Sequence, residues 1–182
     1  NGKRATYKEY QALEEDGFQY EIIEGVMSVT PAPLYEHQGL SFEMCRLLGD
    51  YLDAYPVGIA VAAPRDIKLS ETLVYQPDIL YISNERIAIN KSHYVDGAPD
   101  WIIEILSVST WNRDTKDKFN DYQSYGVKEY WIMNPMDLTS SQFFSLEGLQ
   151  YEAFYPENKI IRSKVLPNFS IDLEKLKRKL RN

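Results

Sequence analysis

Two apolar runs, Trp101-Ile102-Ile103-Glu104-Ile105-Leu106 and Glu129-Tyr130-Trp131-Ile132-Met133, constrain the fold of this chain more than any other feature. Between them, residues 114–125 read as an amphipathic helix that stops at Gly126, a C-terminal helix signal. Strand, helix and strand at crossover length predict two parallel strands joined with right-handed chirality. Strands apolar along nearly their whole length predict cover on both faces of the sheet. The expected class is mixed α/β.

Other segments fill in the order. Residues 7–13 predict a short helix, and residues 18–23 with 26–29 predict a hairpin turning through Glu24-Gly25. A helix is expected over about 34–55, and strands over 58–62, 66–69 and 78–83. Two further strands flank Glu147-Gly148, and a short helix begins near Asp172. The 182 residues contain no repeat, low-complexity tract or Gly/Ser linker, so residues 1–182 read as one domain with room for a substantial core.

Composition excludes some classes of function. No apolar stretch approaches the roughly 20 residues that span a bilayer, and no signal-peptide pattern appears, so no membrane partner is expected. A single cysteine, Cys45, excludes an internal disulfide and a cysteine-rich zinc site, and fits a reducing, cytoplasmic setting. The net charge of −7 argues against a broad basic surface for nucleic acid. A carboxylate site offset by a bound metal remains compatible with it. The basic run Lys175-Leu176-Lys177-Arg178-Lys179-Leu180-Arg181 reads as the solvated face of a terminal helix.

The candidate chemistry lies around the first apolar run. Glu104 sits among five apolar neighbours, where a lone carboxylate shifts its pKa upward or recruits a cation. Asp78 follows Gln76-Pro77 and precedes Ile79-Leu80-Tyr81-Ile82, as either a turn residue or a second carboxylate. On adjacent strands the two are hard-oxygen donors, suited to Mg²⁺ or Mn²⁺ rather than zinc. On the following helix, Phe119, Tyr122 and Tyr125 lie at roughly 100°, 40° and −20° from Lys118, while Lys116 lies near 160°. Lys118 therefore stands within the apolar stripe. It either snorkels to water or faces the carboxylates; a purely structural Glu104–Lys118 ion pair explains these two residues equally well but leaves Asp78 unused. His37 shares a helix face with Leu40, Met44, Leu48 and Tyr51, so it points inward as a core histidine or as a holder of phosphate or water near the helix start. Glu21, in the first hairpin, is open between a solvent-facing residue and a third carboxylate. Ser107 and Ser109 lack a Gly-x-Ser-x-Gly elbow, and no Gly-rich phosphate loop is present.

Several short motifs, taken in order, resemble the PD-(D/E)xK nuclease superfamily and within it the Uma-two family of restriction-endonuclease-like proteins. They run from Tyr20-Glu21-Ile22-Ile23-Glu24-Gly25 through Pro31-Ala32-Pro33, Glu36-His37-Gln38 and Gln76-Pro77-Asp78-Ile79. They continue with Gly97-Ala98-Pro99-Asp100, then Glu104-Ile105-Leu106-Ser107-Val108-Ser109-Thr110. Arg113-Asp114, Lys118, Tyr122 and Gly126-Val127-Lys128-Glu129-Tyr130-Trp131 complete the set. The superfamily's usual lysine, two residues after the glutamate, is replaced here by Leu106. The family is similar in this respect, its lysine lying on the next helix where Lys118 stands. Val108 occupies a position where that family more often has proline.

The resemblance implies a restriction-endonuclease-like α/β fold, with a mixed central sheet flanked by helices and antiparallel hairpin additions. It implies Mg²⁺- or Mn²⁺-dependent hydrolysis of DNA. Asp78, Glu104 and the Ile105 carbonyl would be metal ligands, Lys118 would position the nucleophile or neutralise charge, and His37 and Glu21 would be auxiliary. By analogy with nucleases that cut both strands of a duplex, a homodimer is plausible. A nuclease-like fold kept as a binding or regulatory module is the alternative; it predicts structural ion pairs and no metal.

Overall fold

The computed structural model describes residues 4–13, 19–30, 34–107 and 113–180. Phe18, the Pro31-Ala32-Pro33 segment, Val108, Ser109, Thr110 and Arg181 lie outside the described residues. The chain runs α1 (Tyr7–Tyr10), β1 (Gln19–Ile23), β2 (Val26–Thr30) and α2 (Tyr35–Ala54). Next come β3 (Gly58–Ala62), β4 (Asp66–Ser70), β5 (Leu73–Tyr75), β6 (Ile79–Ser83), β7 (Tyr94–Asp96) and β8 (Trp101–Ile105). A π-helical turn over Arg113–Asp117 leads into α3 (Lys118–Ser124) and β9 (Glu129–Met133). The hairpin β10 (Gln142–Glu147) and β11 (Gln150–Phe154), the short β12 (Ile160–Arg162) and β13 (Ser170–Asp172), and α4 (Leu173–Lys179) complete the order.

The class is mixed α/β, as expected. β8 and β9 pair in parallel from Trp101 opposite Glu129 to Ile105 opposite Met133. They lie inside a six-stranded sheet of order β11-β10-β9-β8-β6-β3, to which the β10–β11 hairpin adds at one edge. The first hairpin belongs instead to a second, five-stranded sheet of order β2-β1-β5-β4-β7. The sequence did not reveal that sheet, because β5 and β7 are only three residues each and show no usable alternation. In the first hairpin both turn residues, Glu24 and Gly25, have positive φ (49° and 73°), as a two-residue primed turn requires.

Two apolar clusters sandwich the six-stranded sheet. On one face Ile79, Tyr81, Trp101, Ile103, Ile105 and Trp131 pack with Leu40, Met44 and Leu48 of α2, the small β12–β13 pair and α4. On the other, Leu80, Ile82, Ile102, Tyr130 and Ile132 pack with Tyr122 of α3 and with Ile67, Leu69, Leu73 and Tyr75 of the five-stranded sheet. The alternation along β8 places Glu104 on this second face, between the sheets. Tyr125, expected on the buried stripe of α3, is instead exposed, because the α-helix ends at Ser124 and Tyr125 is its cap. Among the described residues no helix is long and apolar enough to cross a membrane.

A carboxylate far from the candidate chemistry holds the back of the molecule together. Glu129 is fully buried on β9. Its Oε2 accepts from Ser163 Oγ (2.7 Å), Lys164 N (2.9 Å) and Val165 N (2.8 Å), and its Oε1 from Trp131 Nε1 (2.6 Å). Burial outweighs these four donors and pushes the carboxyl from its ordinary 4.5 up to about 7. A folded-state value above the unfolded one means the native protein holds the proton more tightly. The group's contribution to stability is therefore complete below pH 4.5 and is lost as pH rises through about 7. Thermal melts should show stability falling between about pH 4.5 and 7 by up to about 3 kcal/mol from this group. Glu129→Gln should flatten that slope, and an unchanged slope would assign it elsewhere.

Candidate active site

The strand directions decide where the candidate residues meet. β8 and β9 are parallel and β6 runs against them, so the end of β8 and the beginning of β6 share one edge of the sheet. The last β6–β8 pair is Ile79 opposite Ile103, and one further step places Asp78 across from Glu104. At that step the side chain of Asp78 takes over from the backbone ladder. Its Oδ2 accepts from the Ile105 N–H at 2.7 Å, while its own carbonyl accepts from Ala63 N on the β3 side. Ile105, the expected backbone ligand, thus meets Asp78 through its N–H. Asp78 Oδ1 lies 3.2 Å from His37 Nε2. His37 points inward in the first turn of α2, as its helical phase predicts, and its partner is this carboxylate.

Lys118 opens α3 directly after the π-helical turn. Phe119 and Tyr122 lie in that α-helix and Tyr125 at its cap, so their phase relative to Lys118 holds locally, whereas Lys116 lies in the wider turn over 113–117. Its ammonium is 2.8 Å from Glu104 Oε1 and 3.2 Å from Glu21 Oε1, and all three side chains are only 4% exposed. Snorkelling to water is therefore excluded, and Lys116 is exposed as expected. Glu21 is a third carboxylate, brought across from β1 of the other sheet, and its Oε1 also accepts from Gln76 N (3.2 Å). Ser107 is half-buried beyond β8.

Aromatic groups surround this cluster, and sequence reasoning gave them no role. The Tyr122 hydroxyl donates to Glu104 Oε1 at 2.9 Å, sharing that oxygen with Lys118. Burial, then the Glu104 charge, pushes the Tyr122 phenol well above its ordinary range, so it is a lasting donor. The Lys118 ammonium also stands 5.5 Å from the Tyr75 ring centre, within cation–π range. Tyr75 in turn donates to Asp121 Oδ2 at 2.6 Å. Behind Glu21, Asp66 Oδ1 accepts from Tyr10 (2.8 Å) and from Gln76 Nε2 (2.7 Å). Burial holds the Asp66 carboxyl above its ordinary value. Tyr75 lies on a three-residue strand, so no sequence period could have placed it.

Asp78 and Glu104, opposite in register at the end of the β6–β8 pair, are hard-oxygen donors, whose chemistry suits Mg²⁺ or Mn²⁺. Asp78 is the more accessible of the two, at 19% exposure. Among the described residues no group of three or more His, Cys, Asp or Glu side chains is arranged to hold a metal ion, so a backbone oxygen or water would have to complete the set. A separate groove of about 390 Å³ between α2 and α4, with Tyr35, Phe42, Met136 and Lys177 in its walls, contains none of the five candidate side chains.

A family model described as "Putative restriction endonuclease", Uma2, matches residues 7–174. The chain belongs to the Uma2 family. Among solved structures, it is similar to one titled as a putative nuclease belonging to DUF820 from Anabaena variabilis. The two are 20% identical with a TM-score of 0.76, over 96% of this chain and 98% of that one, which is a likeness of fold. No curated protein matches the chain.

The shared oxygen makes one measurable demand. Removing a hydrogen bond to a buried charge costs about 1.5–3 kcal/mol. Tyr122→Phe should therefore lower the urea midpoint by that amount of stability with the slope m unchanged. A variant as stable as the native chain would show that the hydroxyl contributes nothing net.

Proposed function

We propose that this Uma2 protein is a metal-dependent nuclease that hydrolyses DNA phosphodiester bonds at the Asp78–Glu104 edge. The observation that carries the reading is the approach of Lys118 from the following helix to Glu104, beside an Asp78 fixed on the Ile105 amide. Asp78 and Glu104, with the Ile105 carbonyl, would hold Mg²⁺ or Mn²⁺. Such an ion supplies an acidified water and charge stabilisation at the phosphate.

The chain's own groups do the rest. Lys118 sits between the Glu104 and Glu21 carboxylates and serves as the cation that neutralises developing negative charge. His37 orients the Asp78 carboxylate through the 3.2 Å contact. Glu21 holds the other side of the ammonium. A cytoplasmic setting and a homodimer presenting two sites to a duplex belong to the same reading, the latter by analogy.

One observation favours a second reading, a nuclease-like fold kept as a binding or regulatory module. Glu104 and Lys118 are both buried and paired with each other, which a structural ion pair would also require. Calorimetric titration with Mg²⁺ and Mn²⁺ separates the two. The native chain should bind, and Asp78→Ala should lose at least tenfold in affinity. A native chain that binds neither ion leaves the binding module. On single-stranded, duplex and branched DNA, Lys118→Ala should lower cleavage by a factor of about 100 or more, the scale of a lost charge-stabilising donor. Native rates in that variant would remove Lys118 from the chemistry.

A further inference from the structure

Lys118 occupies Glu104 as a cation already in place. Its ammonium is 2.8 Å from Glu104 Oε1, within a site where a divalent ion would use the same carboxylate. Two cations cannot share a buried carboxylate oxygen without strong repulsion in a poorly screened environment. The second carboxylate in reach of that ammonium is Glu21, whose Oε1 is 3.2 Å away. The ammonium already contacts both carboxylates, so release of Glu104 leaves it paired with Glu21.

The surroundings fit such an exchange. Glu21 comes from the opposite sheet and is anchored by the Gln76 amide, so it stays in place when Lys118 turns toward it. The Tyr75 ring lies 5.5 Å from the ammonium and offers a face along which a cation can shift at little cost. Tyr122 continues to donate to Glu104 Oε1 and keeps that carboxylate oriented after the lysine has left.

We propose that Lys118 is handed from Glu104 to Glu21 when a divalent cation engages Glu104, making Glu21 the positioning residue for the lysine in the loaded site. The handover rests on the nuclease reading's metal site but makes a separate claim about it. Metal binding and lysine position are then one coupled equilibrium. Without Glu21 the displaced ammonium loses the second carboxylate it contacts, and the metal competes with it more directly.

The test uses the full chain, with Mg²⁺ as the probe. The Lys118 ammonium is followed by ¹⁵Nζ NMR, assigned by its loss in Lys118→Arg, and Mg²⁺ affinity is followed by calorimetry. Saturating Mg²⁺ should move the Nζ resonance of the native protein. Glu21→Gln, which keeps the shape and the acceptor for Gln76 N, should weaken Mg²⁺ at least tenfold. In a Lys118→Met background the same Glu21→Gln change should weaken it by less than threefold, because no ammonium then needs rehousing. Mg²⁺ binding with an unmoved Nζ resonance overturns the handover and leaves the metal site standing. A Glu21→Gln effect equal in both backgrounds also overturns it, since Glu21 would then act on the metal by charge alone. If Lys118→Met does not fold, the native and Glu21→Gln measurements decide the matter. Failure of the native chain to bind any divalent ion removes the metal site and the handover together.

Discussion

The ion pair between Glu104 and Lys118 sits where three elements meet: the central strand β8, the start of α3, and the second sheet through Glu21 on β1. Burying either charge alone costs several kcal/mol, so each residue is tolerated only because the others are correctly placed. The pair thereby ties the crossover helix to the sheet and the two sheets to each other at one point. Burial of the surrounding Ile102, Ile132 and Tyr130 stabilises the sandwich without choosing its register. The polar cluster supplies that choice, since a one-residue slip of β8 would turn Glu104 into the α2 face.

The same strand carries a second buried acid at its other end, and the contrast is informative. Asp100, just before β8, is fully buried yet meets Lys128 (2.7 Å), Arg86 (3.2 Å) and the Ser83 amide (2.9 Å). Burial opposes its charge, and these donors overcome that and hold its carboxyl below the usual range. Lys128 is half-exposed at that end, so the cation is drawn from the surface. At the Glu104 end the cation is as buried as the acid, and one ammonium serves two carboxylates.

Much of this was legible in the sequence because it depended on local period. The parallel β8–β9 pair, the inward phase of His37 and the choice of Lys118 over Lys116 follow from apolar spacing within single elements. Glu104 stood out because a charge inside an apolar strand needs a partner. The family resemblance supplied Glu21, which alternation alone left open between solvent and site. What could not be read is what depends on sheet assembly. Tyr75 and its Lys118 contact rest on a three-residue strand, and Glu129's clamp on Ser163 joins residues 34 apart through a loop with no pattern. The exposure of Tyr125 depended on where α3 ended, a boundary that phase does not set.

Asp78 has a consequence of its own. Its Oδ2 stands in for a main-chain carbonyl at the point where the β6–β8 ladder stops, so the same atom closes a piece of secondary structure and faces the candidate chemistry. Architecture and the proposed chemistry meet there in one carboxyl group. Only its charge, not its shape, is dispensable to the architecture: an asparagine amide oxygen can still accept the Ile105 N–H. Evolution or design could therefore remove the charge from this edge while leaving the sheet intact, and a single nitrogen-for-oxygen exchange would turn the proposed cation site into a scaffold.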